Sequence, residues 1–253
     1  MYVEVDGARL EVRRWPGAEA GAPLVLLHEG LGCVSTWRDF PAALAKRTQS
    51  TVVAYSRAGY GGSTVVTTPR DTAYMHHEAA VVLPELLERL GIERPILFGH
   101  SDGASIALIF AGRYPEEVAA LVLEAPHVFV EDVTVASIAR IGAAYAEDPR
   151  LRSSLERHHA DADATFNGWN RIWLDPAFRT WSIENELDAI RAPALVIQGR
   201  DDEYGTFAQV DAIAAHLPSV EVASLERCGH APHRDARETV LERVASFLSA
   251  ARV

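Results

Sequence analysis

The stretch Ile96-Leu97-Phe98-Gly99-His100-Ser101-Asp102-Gly103-Ala104-Ser105-Ile106-Ala107-Leu108 constrains the fold more than any other. Ile96 to Phe98 is short and apolar, follows Pro95 and reads as a buried strand. Ala104 to Ala111 carries small residues at apolar spacing and reads as a packed helix. Gly99 and Gly103 remove side chains where strand and helix backbones must approach closely, which lets Ser101 occupy a strained turn with its hydroxyl projecting outward. This is the geometry of a nucleophile elbow. A serine hydroxyl is a poor nucleophile at neutral pH, so it requires a neighbouring base and an acid to orient that base.

The remaining chain supplies a frame for such a site. Met1 to Val5 and Arg9 to Trp15 flank the turn pair Asp6-Gly7 and form an antiparallel hairpin, and Gly17 to Gly21 reads as a flexible linker. Leu24 to Leu27, Thr51 to Tyr55, Ala119 to Glu124, Ala194 to Gln198 and Val220 to Leu225 are further strands. Helical patterns lie between them: Trp37 to Lys46 with Ser35 as a cap, Thr72 to Leu90 with a kink at Pro84, Gln209 to His216 and Glu238 to Leu248. Alternating strands and helices predict an α/β fold with a mostly parallel, doubly wound sheet covered on both faces.

Between Pro126 and Pro193 the rhythm breaks, with about sixty residues rich in helix formers, His and Trp and no convincing strand. The expected organisation is a core of residues 1–125 and 193–253 with a helical cap inserted at 126–192.

With 253 residues, 48% of them hydrophobic, the chain can bury one large core without disulfides or a metal. The formal charge of -11 opposes binding to polyanions, so nucleic acid is an unsuitable partner. Cys33 and Cys228 are too few for a disulfide scaffold and wrongly spaced for a zinc site. With neither a signal peptide nor a membrane span in the sequence, the expected location is cytoplasmic and the expected partner a small molecule.

The strand ending at Gln198 runs into Gly199-Arg200-Asp201-Asp202, and the strand ending at Leu225 runs into Glu226-Arg227-Cys228-Gly229-His230. Loops at the carboxyl ends of parallel strands share one edge of the sheet, so Ser101, Asp202 and His230 can converge there. Their order, Ser then Asp then His, together with the elbow, resembles the alpha/beta hydrolase family, specifically small cofactor-free members with a helical cap. The resemblance covers essentially the whole chain. In the family pattern the acid lies three residues after the glycine that closes its strand, which selects Asp202 over Asp201. The histidine falls in a Gly-His pair after the last strand, which selects His230.

The resemblance implies that His230 takes the Ser101 proton as general base while Asp202 orients the imidazole. It also implies an oxyanion hole built from the backbone N–H groups of Asp102 and Gly30. Glu29 departs from the His-Gly found in many members after this strand. An ionised Glu29 aimed inward would oppose an oxyanion, so it is expected to turn away or be paired. Asp102 is a second departure, because an apolar or amide side chain is common after the nucleophile. Its carboxylate either faces a hydroxyl-bearing or cationic substrate or bonds to nearby backbone or Arg57.

Other residues read more plainly. His28 supports its loop, and the glycines around Tyr60 lack the Gly-Lys-Ser/Thr of a nucleotide cradle. The pairs His76-His77 and His158-His159 diverge on a helix, so no metal is expected, and the resemblance implies no cofactor. Both cysteines read as buried thiols. Glu124 is a rival acid, resembling the acid position of some haloalkane dehalogenases, but those use an Asp nucleophile. Trp169 and Trp173, with Trp181, Phe166 and Phe178 nearby, join cap to core, and one or two line a pocket. Glu29, Trp169 and Trp173 are therefore the candidate substrate-binding residues.

The leading expectation is a hydrolase of a small carboxylic ester, lactone or thioester acting through an acyl-Ser101 intermediate. The alternatives are hydrolysis of a carbon–carbon bond in a ring-cleavage product, with proline iminopeptidase activity behind it, or a slow-turnover small-molecule receptor on the same fold.

Overall fold

The computed structural model describes residues 1–17 and 21–252. The Asp6-Gly7 pair, with φ of 48° and 70°, makes the turn of an antiparallel hairpin between β1 (Tyr2–Val5) and β2 (Ala8–Trp15). The central residues 18–20 of the expected linker lie outside the described residues.

β2 pairs antiparallel with β4 (Val52–Tyr55), and from there every pairing is parallel: β4 to β3 (Leu24–Leu27), then β5 (Ile96–His100), β6 (Ala120–Glu124), β7 (Ala194–Gly199) and β8 (Val220–Leu225). The order across this eight-stranded sheet is β1-β2-β4-β3-β5-β6-β7-β8.

β3 to β7 are buried along their whole length, as strands covered on both faces must be. Alternate residues serve opposite layers. Val25, Leu97, Leu121, Leu123 and Val196 join the core beneath one set of helices, and Leu26, Phe98, Val122, Leu195 and Ile197 join the core beneath the other.

The first core is covered by the helices α2 (Tyr74–His77), α3 (Leu83–Leu90) and α4 (Asp102–Arg113), and the second by α1 (Phe40–Thr48).

Two helices differ from their sequence patterns. Trp37 to Lys46 is not one helix: a 3-10 turn at Val34–Trp37 ends at Arg38, whose φ of 54° breaks the spiral, and α1 restarts with Pro41 in its first turn. Ser35 lies inside that turn and bonds His158 Nδ1 at 2.8 Å instead of capping a helix. Thr72 to Leu90 is helical from Tyr74, but its middle, Glu78–Val82, is a π-helix immediately before the α3 segment containing Pro84. Proline removes one intrahelical donor, and a wider turn accommodates the loss.

Between β6 and β7 the chain forms an inserted helical cap: α5 (Asp132–Glu147), α6 (Pro149–Glu156), α7 (Ala162–Leu174), a 3-10 turn at Pro176–Thr180 and α8 (Glu184–Leu187). Its extended pairing among the described residues is a single bridge between Phe129 and Ser182. α5 and α7 pack together, and Asp148, Asp161 and Asp175 each cap the turn that follows by accepting a backbone N–H. After β7 come α9 (Phe207–His216), β8, α10 (Pro232–Asp235) and α11 (Arg237–Ala251), the last packing on α1. No described helix is long and apolar enough to cross a membrane.

Candidate active site

The register of the sheet sets the site. Leu27 lies opposite Gly99, His100 opposite Glu124, Glu124 opposite Ile197 and Gly199 opposite Leu225, so the carboxyl ends of β3, β5, β6, β7 and β8 share one edge.

Ser101 follows β5 with φ 53° and ψ -119°, outside the favoured regions for a non-glycine residue. The two elbow glycines make this possible. A Cβ on Gly103 would stand 2.0 Å from the Leu27 carbonyl oxygen, and one on Gly99 would stand 2.4 Å from the Gly103 carbonyl oxygen.

Ser101 Oγ lies 3.0 Å from His230 Nε2, and His230 Nδ1 lies 2.9 and 3.0 Å from the two Asp202 carboxylate oxygens. Asp202 is fixed from the other side, accepting from the Tyr204 N–H and from Gln198 Nε2, both at 2.8 Å. Burial alone would raise its pKa, but the hydrogen bond and charge of His230 more than offset this and hold the carboxyl below its usual range.

Asp201 is exposed and contributes its backbone N–H to the Cys228 carbonyl. Glu124 is fully buried and bonds His233 Nδ1 through Oε2 at 2.7 Å.

A cavity of about 110 Å³ opens at Ser101 and His230, bordered by Gly30, Asp102, Trp169 and Trp173 among others. Trp169 is pressed onto Gly30: its indole Nε1 is 2.0 Å from where a Gly30 Cβ would sit. The side-chain carboxylate of Glu29 is paired, 3.5 Å from both His100 Nδ1 and an Arg234 nitrogen. Burial would raise its pKa, yet the charges of His100 and Arg234 hold it well below the ordinary carboxylate range.

Asp102 divides between its two expected roles. Oδ2 accepts from the Tyr74 hydroxyl at 2.9 Å and faces an Arg57 nitrogen at 3.7 Å, while Oδ1 has no hydrogen-bond partner.

His28 supports its loop through Nδ1, 2.7 Å from the Glu29 carbonyl oxygen, and through Nε2, which accepts from the Arg57 N–H at 3.1 Å. Burial and Arg57 push its pKa well down.

Several residues of the site carry no motif in the sequence. Thr134, Ile138 and Tyr204 line the cavity, and so does His127, which follows β6 within Ala125-Pro126-His127. Burial, then the nearby His230, push the His127 pKa down to about 3, which keeps the imidazole neutral. Its position is set by the Ser105 hydroxyl, which donates to the His127 carbonyl at 2.6 Å. A histidine just past the carboxyl end of a buried strand was the available signal.

Among the described residues, His100, Glu124 and His233 form the one His/Glu group with converging ligand atoms. These atoms are joined in short bonds of their own: His233 to Glu124, and His100 Nε2 to the His230 carbonyl oxygen at 2.6 Å. The adjacent histidine pairs go elsewhere: His77 to Asp6, His158 to Ser35, and His159 Nδ1 to the Gly61 N–H. Both cysteines are free and buried, and burial pushes the Cys228 thiol up to about 12.

Comparison with known proteins places this geometry in context. A family model described as "Alpha/beta hydrolase family" matches residues 24–243. A protein of Pseudomonas savastanoi pv. phaseolicola, provisionally named carbamate hydrolase RutD, is 30% identical over 84% of this chain and 88% of its own length. The 2-hydroxy-6-oxononadienedioate/2-hydroxy-6-oxononatrienedioate hydrolase of Paraburkholderia phymatum is 27% identical over 98% of this chain and 94% of its own. Among solved structures, the enol-lactonase from Burkholderia xenovorans superposes with a TM-score of 0.77 at 20% identity, covering 98% of this chain and 100% of that one.

Proposed function

This chain belongs to the alpha/beta hydrolase family, and from that premise we propose that it is a Ser101-dependent hydrolase acting at the carbonyl carbon of a small molecule. The observation that carries the reading is the continuous Ser101–His230–Asp202 contact, with Ser101 and His230 lining a cavity. His230 takes the proton as Oγ bonds to the carbonyl carbon. The oxyanion is held by the backbone N–H groups of Gly30 and Asp102, and collapse expels the leaving group, which accepts the proton from His230. Water then attacks the acyl group with His230 as base, releasing the acid and restoring Ser101. Residues 126–192 act as the cap that shapes specificity.

Two bond types fit this sequence of steps. Cleavage of a carbon–carbon bond beside a carbonyl is the better supported by relatives, because two 2-hydroxy-6-oxononadienedioate/2-hydroxy-6-oxononatrienedioate hydrolases align with nearly the whole chain and a solved meta-cleavage product hydrolase shares its fold. In that case the leaving group is a carbanion stabilised by a neighbouring carbonyl, and it accepts the same proton.

The dianionic substrates in those names suit this site poorly, since none of the described residues lining the cavity is Lys or Arg while Glu29 and Asp102 both border it. The substrate proposed here is therefore a neutral carbonyl compound. Ester hydrolysis is the second reading, favoured by the cavity size: about 110 Å³ encloses only a few non-hydrogen atoms, against roughly 300 Å³ and upward for drug-sized ligands.

Parallel assays with short-chain nitrophenyl esters and with neutral vinylogous diketones separate the two. Diketone turnover exceeding ester turnover supports carbon–carbon cleavage, and ester turnover alone overturns it. Saturable binding of such compounds without turnover of either would place the chain among small-molecule receptors instead.

A further inference from the structure

Asp102 is 1% exposed and occupies the first turn of α4, next to the nucleophile. One of its oxygens is held from behind by Tyr74 and Arg57, whereas Oδ1 has neither a hydrogen-bond partner nor contact with solvent. A buried acceptor left in that condition costs stability, and proteins rarely retain one without a use for it.

Most of the donors around it are engaged elsewhere, although Arg57 Nη1 is itself without a partner. Arg57 Nη2 donates to the Glu29 carbonyl at 3.0 Å and Arg57 Nε reaches His28 Nε2 at 3.4 Å. The Thr134 hydroxyl, which also lines the cavity, donates to the Tyr204 carbonyl. The other carboxylate bordering the cavity, Glu29, is occupied by His100 and Arg234. Two further unpartnered atoms of the lining, His127 Nδ1 and Trp173 Nε1, belong to rings packed edge to face at 5.3 Å.

We propose that Asp102 Oδ1 receives a hydrogen bond from a hydroxyl group on the acyl part of the substrate, making the enzyme selective for hydroxy-carbonyl compounds. This rests on the Ser101 hydrolase reading and names its substrate class. The Arg57 guanidinium already faces the same carboxylate, so the local charge is opposed and a neutral donor suits the position better than an ammonium group. The hydroxyl lies close to the scissile carbonyl, because Asp102 and Ser101 are adjacent and the cavity is only about 110 Å³. A site with a buried partner for a substrate hydroxyl rejects the analogue lacking it, since the partner is then left unpaired.

The experiment compares matched nitrophenyl esters, 2-hydroxypropanoyl against propanoyl and 3-hydroxybutanoyl against butanoyl, on the full chain and on Asp102→Asn. The wild-type chain prefers the hydroxy member of at least one pair by about tenfold or more in kcat/KM, and Asp102→Asn brings that ratio to within about threefold of one. A ratio near one for both pairs in the wild type, or a preference unchanged in Asp102→Asn, overturns the proposal.

If Asp102→Asn does not fold, protection of wild-type Ser101 from fluorophosphonate labelling by the corresponding amides replaces it. The hydroxy amide protects at about tenfold lower concentration, and equal protection overturns the proposal. Absence of both labelling and ester turnover in the folded wild type overturns the Ser101 reading itself, a result distinct from labelling without hydroxyl preference.

Discussion

His100 Nε2 lies 2.6 Å from the backbone carbonyl oxygen of His230, so the residue before the nucleophile also holds the loop carrying the proposed base. The opposite nitrogen of the same ring faces Glu29 at 3.5 Å. One buried imidazole thereby joins three loops: the elbow, the segment with Gly30 and the segment with His230.

Glu29→Gln tests this junction through its pH dependence. Burial alone would raise the Glu29 pKa and lower that of His100, but their pairing more than offsets it, leaving Glu29 well below 4.5 and His100 above 6.5. The depressed Glu29 pKa contributes stability that is present above pH 4.5 and lost as pH falls through its folded value. The raised His100 pKa contributes stability that is full below pH 6.5 and lost as pH rises through its folded value. Glu29→Gln therefore destabilises most between pH 4.5 and 6.5, by about 2 kcal/mol, and less at high pH. Denaturant melts across this range measure it, and a pH-independent difference would contradict the pairing.

Asp202→Asn and Glu124→Gln separate the proposed triad acid from its buried rival. Asp202 touches His230, whereas Glu124 bonds His233. Asp202→Asn is expected to lower kcat by about 10³- to 10⁴-fold with the fold intact, since the imidazole loses its oriented tautomer. Glu124→Gln is expected to lower the melting temperature while kcat stays within about tenfold, the scale of an effect transmitted only through packing. Steady-state kinetics beside thermal melts check both, and the reverse pattern would make Glu124 the acid.

Gly30→Ala should damage activity through Trp169. The new Cβ would meet the indole nitrogen at 2.0 Å, so either the ring or the Gly30 backbone must move. Misplacing the proposed oxyanion donor is expected to cost roughly 10²-fold in kcat. Adding Trp169→Ala removes the clash and recovers part of that loss. If the double variant is no better than Gly30→Ala, the contact is not what makes glycine necessary.

The sequence was most legible where chemistry and backbone geometry coincide. Gly99 and Gly103 sit where close backbone approach demands them, and the strand ends at Gly199 and Leu225 bring Asp202 and His230 to the same edge. What escaped it depends on long-range packing. Tyr74 reaches Asp102 from the helix before β5, Ser105 fixes His127, and His100 bridges to residue 230, none of which local periodicity encodes. The proline in the long helix was legible, but its effect as a π-helical segment was not, because neighbouring packing decides how a missing donor is accommodated.

Intact-protein mass after exposure to a fluorophosphonate, for the wild-type chain and for Ser101→Ala, tests the nucleophile most directly. One adduct is expected on the wild type, on the peptide carrying Ser101, and none on the variant. A folded wild-type chain that takes up no label, or a Ser101→Ala chain labelled equally well, would contradict the claim that Ser101 is the activated nucleophile.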